Sequence, residues 1–337
     1  MAERAARIAA FLKKAGWGAA ERRPLAADAS FRCYERLSLG RRRAVLMNAP
    51  PSHEDVGAFH RVETLLLSLG LSAPEPLAVD RDDGLMLLED LGDRTFTRAL
   101  AEGADEAALY ALAVDVLIHL HRRADEAVLA GASLPDYDDR LLLGEAALLT
   151  DWYLPAVCGT DTPPAVREAY LEAWRAVFPL ARRGPPTLVL RDYHVDNLLV
   201  LEDRAGVAGC GLLDFQDAVI GPRSYDLVSL LEDARRDIPG DLVAAMLERY
   251  LAAFPDTDPA AFRAGYAILG AQRSAKIIGI FTRLCRRDGK AQYLRHIPRV
   301  WRLLEGDLAA PELAPVKAWF DEVLPPAERR VPSETET

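Results

Sequence analysis

The order of apolar and polar positions divides the chain into two stretches of different character. Ile8, Phe11, Leu12 and Ala15 recur at helical spacing and predict an amphipathic first helix. Phe31–Ser38 and Ala44–Asn48 read as two strands joined by a basic turn at Gly40, and Pro50 and Pro51 end the second. A helix is expected over His53–Leu69, with Val56, Phe59, Leu66 and Leu69 turned inward and Gly70 as its stop. From Leu77 to Asp93 the pattern is strand, Asp83-Gly84 turn, strand, exit. This first part is therefore a small sheet with a helix packed on it.

From Arg94 onward the apolar period is mostly helical. Leu109, Leu112, Ala113, Val116, Leu117 and Leu120 make one clear face, on which His119 and His121 read as packing or capping residues. Further helices are expected over Leu141–Tyr153, Pro164–Phe178, Ser224–Arg236, Leu242–Phe254, Pro259–Phe281 and Tyr293–Leu308. Only Thr187–Asp214 reads as strand in this larger half. With a hinge near Glu89–Asp93, the expected division is a lobe over 1–92, a helical lobe over 93–327 and a polar, disordered tail over 328–337. The fold class is α+β.

Composition narrows the setting. Lys and Arg number 41 against 51 Asp and Glu, a net charge of −10, which leaves no basic stripe for a nucleic-acid backbone. Cys33, Cys158, Cys210 and Cys285 are scattered, with no CxxC pair, as free thiols in a reducing compartment would be. The N-terminus, MAERAARIAAFLKKAG, is too charged for a signal peptide. No run of about 18 apolar residues is free of charge, so no membrane span is expected. A cytoplasmic protein follows, of unspecified oligomeric state.

The chemistry gathers in two short stretches. Leu190–Asn197 reads LRDYHVDN, and Leu212–Ala218 reads LLDFQDA. Asn197–Leu201 and Cys210–Asp214 are short apolar strands, and residues 202–209 supply the turn between them. If that turn centres between Ala205 and Gly206, Asn197 faces Asp214 at the open end of an antiparallel hairpin. Asp192, five residues before Asn197, can fold back over that end. Carboxylates so close together need a cation, a proton or open water. Phosphoryl transfer from ATP wants such a set: oxygen ligands for Mg²⁺ and a carboxylate to position the acceptor hydroxyl. Asp214 and Asn197 suit the metal, and Asp192 is left as the base. A metal-dependent hydrolase remains open on the same residues, because Asp192, His194 and Asp196 alternate and could share one metal.

These segments resemble the aminoglycoside phosphotransferase and choline kinase family, which has the two-lobed protein-kinase fold. The family pattern His-x-Asp-x-x-x-x-Asn, a hairpin, then Ile/Leu-Asp-Phe/Trp is matched by Leu190–Asn197 and Leu212–Phe215. Gly221–Leu227, GPRSYDL, resembles the downstream Gly-Pro-x-x-x-Asp-Leu element, whose Asp226 is expected to anchor the catalytic loop through backbone N–H groups. More narrowly, ASFRCYERL, AVLMNAPP and LLDFQDAVIGPRSYDLVSLL are similar to a bacterial branch. That branch phosphorylates N-acetylmuramate and N-acetylglucosamine at the 1-OH in cell-wall recycling. The resemblance implies an ATP- and Mg²⁺-dependent kinase of a sugar hydroxyl. Aminoglycosides, choline, homoserine or methylthioribose are alternative acceptors. It implies nucleotide contacts at Ser30, Phe31, Arg32, Arg43, Glu89 and Leu91, and acceptor contacts at His194, Asp217, Tyr266 and Arg273. His194 reads equally as a hydrogen-bonded loop residue, and Asp217 as a turn cap.

The chain departs from the family pattern in three places. Leu190 stands for the first histidine of the loop. Ala27–Arg32, ADASFR, replaces a Gly-rich phosphate loop. Met47 sits where a phosphate-gripping lysine belongs, and a thioether cannot neutralise phosphate. Arg32 or Arg43 must then grip ATP, or the chain is a nucleotide-binding pseudokinase. Glu63, on the helix that supplies that lysine's partner, reads as a surface residue.

Overall fold

A computed structural model describes residues 2–25 and 32–333. In chain order the first elements are α1 (Ala2–Lys14), β1 (Glu21–Pro24), β2 (Cys33–Leu39), β3 (Arg42–Asn48), α2 (Val56–Ser68), β4 (Pro76–Asp80), β5 (Leu85–Leu88), α3 (Phe96–Ala101) and α4 (Glu106–Arg123). Then come α5 (Glu126–Ala132), α6 (Asp139–Ala146), α7 (Leu154–Cys158), α8 (Pro164–Ala181), β6 (Thr187–Val189), β7 (Leu198–Val200), β8 (Cys210–Leu212) and β9 (Val219–Gly221). Five helices complete the chain: α9 (Tyr225–Leu231), α10 (Gly240–Ala252), α11 (Pro259–Asp288), α12 (Ile297–Asp307) and α13 (Ala314–Val323).

The chain divides into two compact units, and not at the expected boundary of 92. The first holds residues 1–123, 130–132 and 195–218; the second holds 124–129, 133–194 and 219–337. Helix α4 and the β7–β8 hairpin therefore belong with the small sheet. The hairpin's hydrogen bonds show why it does: Leu212 N–H donates to Ser72 C=O at 2.8 Å and Val200 N–H to Arg94 C=O at 2.9 Å.

In the first unit five antiparallel strands lie in the order β1-β2-β3-β5-β4. Alternation gives β3 two buried faces. Ala44 and Leu46, with Leu37, Leu85 and Leu87, receive Ile8, Phe11 and Leu12 of α1. Met47, opposite Met86, belongs to the other face and is fully buried. Glu21–Pro24 was not expected as a strand, since ERRP has no apolar alternation. The Asp83-Gly84 turn forms as expected: Gly84 takes φ +60°, and a Cβ there would collide with the Ala49 carbonyl. Helix α2 starts at the Asp55 cap, whose side chain accepts the Gly57 N–H at 2.7 Å. His119 meets the other end of α2, its Nε2 lying 2.8 Å from the Leu69 carbonyl.

The second unit is built around α11, which packs on α6, α8, α9 and α12. The expected helix over Leu141–Tyr153 is broken into α6, a widened π turn at Leu149–Tyr153 and α7. The break falls beside Gly279 of α11, where a Cβ would collide with the Leu148 backbone. The run Asp139–Cys158 is long and apolar enough to cross a membrane by composition alone, and half of it is buried inside the protein. Strands β6 and β9 pair antiparallel, Thr187 with Gly221, a partner that the sequence pattern did not reveal. Helix α9 stops at Leu231, five residues before the expected end. The tail is fixed as far as the described residues run. The Arg329 side chain is buried and donates to the Leu324 carbonyl and Glu305, each at 2.8 Å, and the Arg330 carbonyl accepts the Tyr153 hydroxyl at 2.7 Å.

Candidate active site

In the second unit the loop after β6 carries Asp192 and His194. Asp226, the second residue of α9, lies beneath it and accepts the N–H groups of Leu190 at 2.7 Å and Arg191 at 2.9 Å. The anchoring role expected of Asp226 is thus what the geometry shows. Burial raises the Asp226 carboxyl to about 7 against the lowering pull of those two N–H groups. Arg191 takes φ +69°, a left-handed conformation costly for a side chain with a Cβ. Its guanidinium pairs with Glu145, on which Lys276 Nζ at 2.8 Å, Tyr137 Oη at 2.5 Å and Gln272 Nε2 at 3.2 Å also converge. Burial pushes the Glu145 carboxyl up, but Lys276 and Arg191 outweigh it and hold it down at about 2. This hub fixes the loop from below, and nothing in the sequence pattern marked Glu145.

Asp192 is half-buried, and its carbonyl accepts the His194 N–H at 3.2 Å. His194 is buried. Burial lowers its pKa first and Arg235 lowers it further, while Asp233 and Asp192 raise it and Arg273 lowers it. His194 therefore stands among Asp192, Asp233, Arg235 and Arg273. Tyr266, expected beside the acceptor, is buried against Glu232 and Asp307, and that burial and the two carboxylates push its phenol up. Burial raises both carboxyls of the Glu232–Asp307 pair. Gly270 gives the pair its room, since a Cβ there would stand 2.5 Å from Asp307 Oδ2 and 2.8 Å from Glu232 Oε2. Arg273, also buried, donates to the Glu232 carbonyl at 3.3 Å.

In the first unit the hairpin end differs from its expected register by one residue. Leu198 pairs with Leu212, and the Leu213 N–H donates to the Asn197 carbonyl at 3.0 Å. Asn197 thus faces Leu213, because a 3₁₀ turn over Gly206–Gly209 shifts the centre of the connection. A one-residue slip would turn Asp214 to the opposite face of a regular strand. Asp214 leaves the strand instead, with φ +58°. Its Oδ1 accepts Gln216 Nε2 at 2.9 Å and lies 3.8 Å from Arg32 Nη2. Arg32 is buried and also stands 3.6 Å from Glu54. Phe215 meets Phe59 of α2 with ring centroids 4.9 Å apart.

Asn197 and Asp214 offer an amide and a carboxylate oxygen just outside the two strands of one hairpin, and the Asp214 side chain remains 40% exposed. Hard oxygen donors of this kind could hold Mg²⁺, which keeps several waters and phosphate oxygens and needs no protein cage. Among the described residues no three His, Cys, Asp or Glu side chains form a metal-binding group. The triad that a hydrolase would need does not assemble. Asp196 instead accepts the Thr97 hydroxyl in the first unit.

The other expected nucleotide residues separate. Ser30 and Phe31 lie outside the described residues. Arg43 pairs in register with Ser38 and donates to its hydroxyl, at the turn end of the β2–β3 hairpin. That is roughly 17 Å along the strand from the end that Arg32 precedes, so Arg43 does not join Arg32. Glu89 is taken up by Arg204, and its N–H donates to the Glu75 carbonyl at 2.8 Å. Leu91 packs beside Gly211 of β8. Asp217 is exposed. Glu63, expected at the surface, is buried; its Oε2 lies 3.0 Å from His60 Nδ1, and Oε1 has no hydrogen-bond partner among the described residues. Burial raises its carboxyl to about 8.

The sequence pattern of the phosphotransferase enzyme family matches residues 21–264. An N-acetylmuramate/N-acetylglucosamine kinase from Caulobacter vibrioides is 39% identical, over 97% of this chain and 99% of that protein. A protein of the same name from Pseudomonas aeruginosa is also 39% identical, over 89% and 88%. Among solved structures, a choline kinase from Streptococcus pneumoniae has a TM-score of 0.59 at 13% identity, over 86% of this chain and 95% of that one. An aminoglycoside phosphotransferase solved with streptomycin and ATP has a TM-score of 0.56 at 19% identity, over 86% and 96%. The structural likeness establishes the protein-kinase-like fold.

Proposed function

The chain belongs to the phosphotransferase enzyme family, and from that premise we propose that it transfers the γ-phosphoryl group of ATP to the anomeric hydroxyl of N-acetylmuramate and N-acetylglucosamine. The observation that carries the acceptor is the likeness, 39% identical over nearly the whole of both chains, to a protein named for those sugars. A cytoplasmic place in cell-wall recycling follows from the same reading.

Asp192 is the base of this reading. It orients the 1-OH and takes its proton as the new P–O bond forms. An anomeric hydroxyl is more acidic than an ordinary alcohol, so a carboxylate suffices. Asp226 and the Arg191–Glu145 pair hold the backbone that presents Asp192. Asn197 and Asp214 would hold Mg²⁺, which supplies charge neutralisation at the phosphate oxygens. Arg32, fixed between Glu54 and Asp214, provides the cation that Met47 cannot. An acceptor panel with Mg²⁺ and labelled ATP tests this. Transfer to the two amino sugars is expected; transfer only to an aminoglycoside or choline, or nucleotide binding with no transfer at all, would overturn it.

A further inference from the structure

The second unit holds a cavity of about 1150 Å³ that the chemistry above does not use. Strands β6 and β9 set its place. They pair Val189 with Val219 at one end and Thr187 with Gly221 at the other. The loop with Asp192 leaves the first end. The cavity opens at the second, beside Pro185 and Pro186 before β6 and Pro222 after β9, and neither Asp192 nor His194 lines it. The ends of α8 and α10 and the start of α11 complete the wall. Much of that wall is apolar, with Ile220, Phe254, Pro255 and Phe262 among its residues. Sites that enclose a whole small molecule run to roughly 300–1,000 Å³, so space is not limiting.

Charged side chains also line the cavity, and most are spent or stand in water. Arg182 pairs with Asp139 at 2.6 Å. Asp138 caps α6 by accepting the Leu141 N–H at 2.9 Å, and Asp258 caps α11 by accepting the Ala260 N–H at 2.9 Å. Asp136, Arg183 and Asp256 are exposed at the rim. Arg223 differs. It is half-buried, and its guanidinium stands 5.0 Å over the Phe254 ring. Its Nε is shut off from solvent with no hydrogen-bond partner among the described residues. An arginine cannot shed its proton to escape that position. A full positive charge with an unmet donor thus stands in a largely apolar wall, where an unmade bond is costly.

We propose that this cavity binds a small organic carboxylate, singly charged and with a bulky apolar body. The guanidinium fork of Arg223 takes a planar carboxylate through two parallel bonds, one of them from Nε. The apolar body lies along Phe254 and the prolines. Asp136 and Asp256 at the rim repel a polyanion such as a nucleotide, and a monoanion suffers least. The inference does not depend on which hydroxyl the chain phosphorylates.

The test uses 2-naphthoate as the probe, on the full chain saturated with Mg²⁺ and a non-hydrolysable ATP analogue so that the nucleotide site is filled. Isothermal titration is expected to show one naphthoate bound per chain. The amide, 2-naphthamide, has the same body without the charge and should bind at least about tenfold more weakly. Arg223→Met should weaken the acid by about tenfold or more and leave the amide unchanged, and Arg223→Lys should recover part of the loss. Ala261→Trp, which fills the cavity from α11, should abolish binding of both. In the wild type the acid should raise Tm, and AMP at the same concentration should not. Acid and amide of equal affinity, no binding at millimolar naphthoate, a wild-type affinity in Arg223→Met, or naphthoate still bound by Ala261→Trp overturns the proposal. The comparison of acid with amide needs no variant, so it decides the matter even where a substitution prevents folding.

Discussion

Asp226 holds Arg191 by its backbone: the carboxylate accepts the Arg191 N–H at 2.9 Å while that residue sits at φ +69°. A left-handed arginine persists only where its surroundings over-determine it. Asp226→Ala should therefore strand two buried N–H groups and release the loop. We expect a loss of about 2–4 kcal/mol of stability together with a fall in kcat. Denaturant unfolding and turnover, measured on the same preparation, check both; a variant as stable and as active as the wild type contradicts the anchor.

Asp192→Asn keeps the shape of the loop and removes the proposed base. Turnover should fall by about 10²–10⁴-fold, with nucleotide affinity retained. Single-turnover kinetics beside a nucleotide titration separate the two effects, and a wild-type kcat would remove Asp192 from the chemistry.

Arg32 replaces the missing lysine in this account. Arg32→Met should raise KM for ATP about tenfold or more, in line with losing one charge-assisted contact, and Arg32→Lys should recover part of it. Initial rates over a range of ATP concentrations give the answer. Unchanged kcat and KM would mean that another group grips the phosphates.

Glu63 carries a pH signature. Its carboxyl holds a proton up to about 8 when folded, against an ordinary value of 4.5. A raised folded value means that the group's contribution is fully present below about 4.5 and is lost as pH rises through 8. Glu63→Gln removes that dependence. Between pH 6 and 9 the variant should gain about 2–4 °C in Tm relative to wild type, and parallel melting curves across this range would refute the buried, protonated state.

Much of this was legible in the residue order. The short apolar runs of β3 and β5, the Asp83-Gly84 turn and the long apolar face of α4 are local signals, and the folded chain obeys them. The Asp226 anchor could be read because it sits in a short motif whose residue types are chemically committed. What escaped depends on distant contacts. Glu145 gains its meaning only from Arg191, Lys276, Tyr137 and Gln272, which lie far from it in sequence. The hairpin register slipped by one because a 3₁₀ turn cannot be told from an open loop in GVAG. Arg43 was plausible by charge alone, and strand geometry put it at the wrong end of its hairpin.

Asp214 is fastened to helix α2 twice, through Arg32 to Glu54 just ahead of the helix and through Phe215 to Phe59 within it. Helix and carboxylate form one lever. In the proposed reading, a nucleotide that shifted α2 would carry the Asp214 oxygen along with it, so that occupancy and alignment would become a single event.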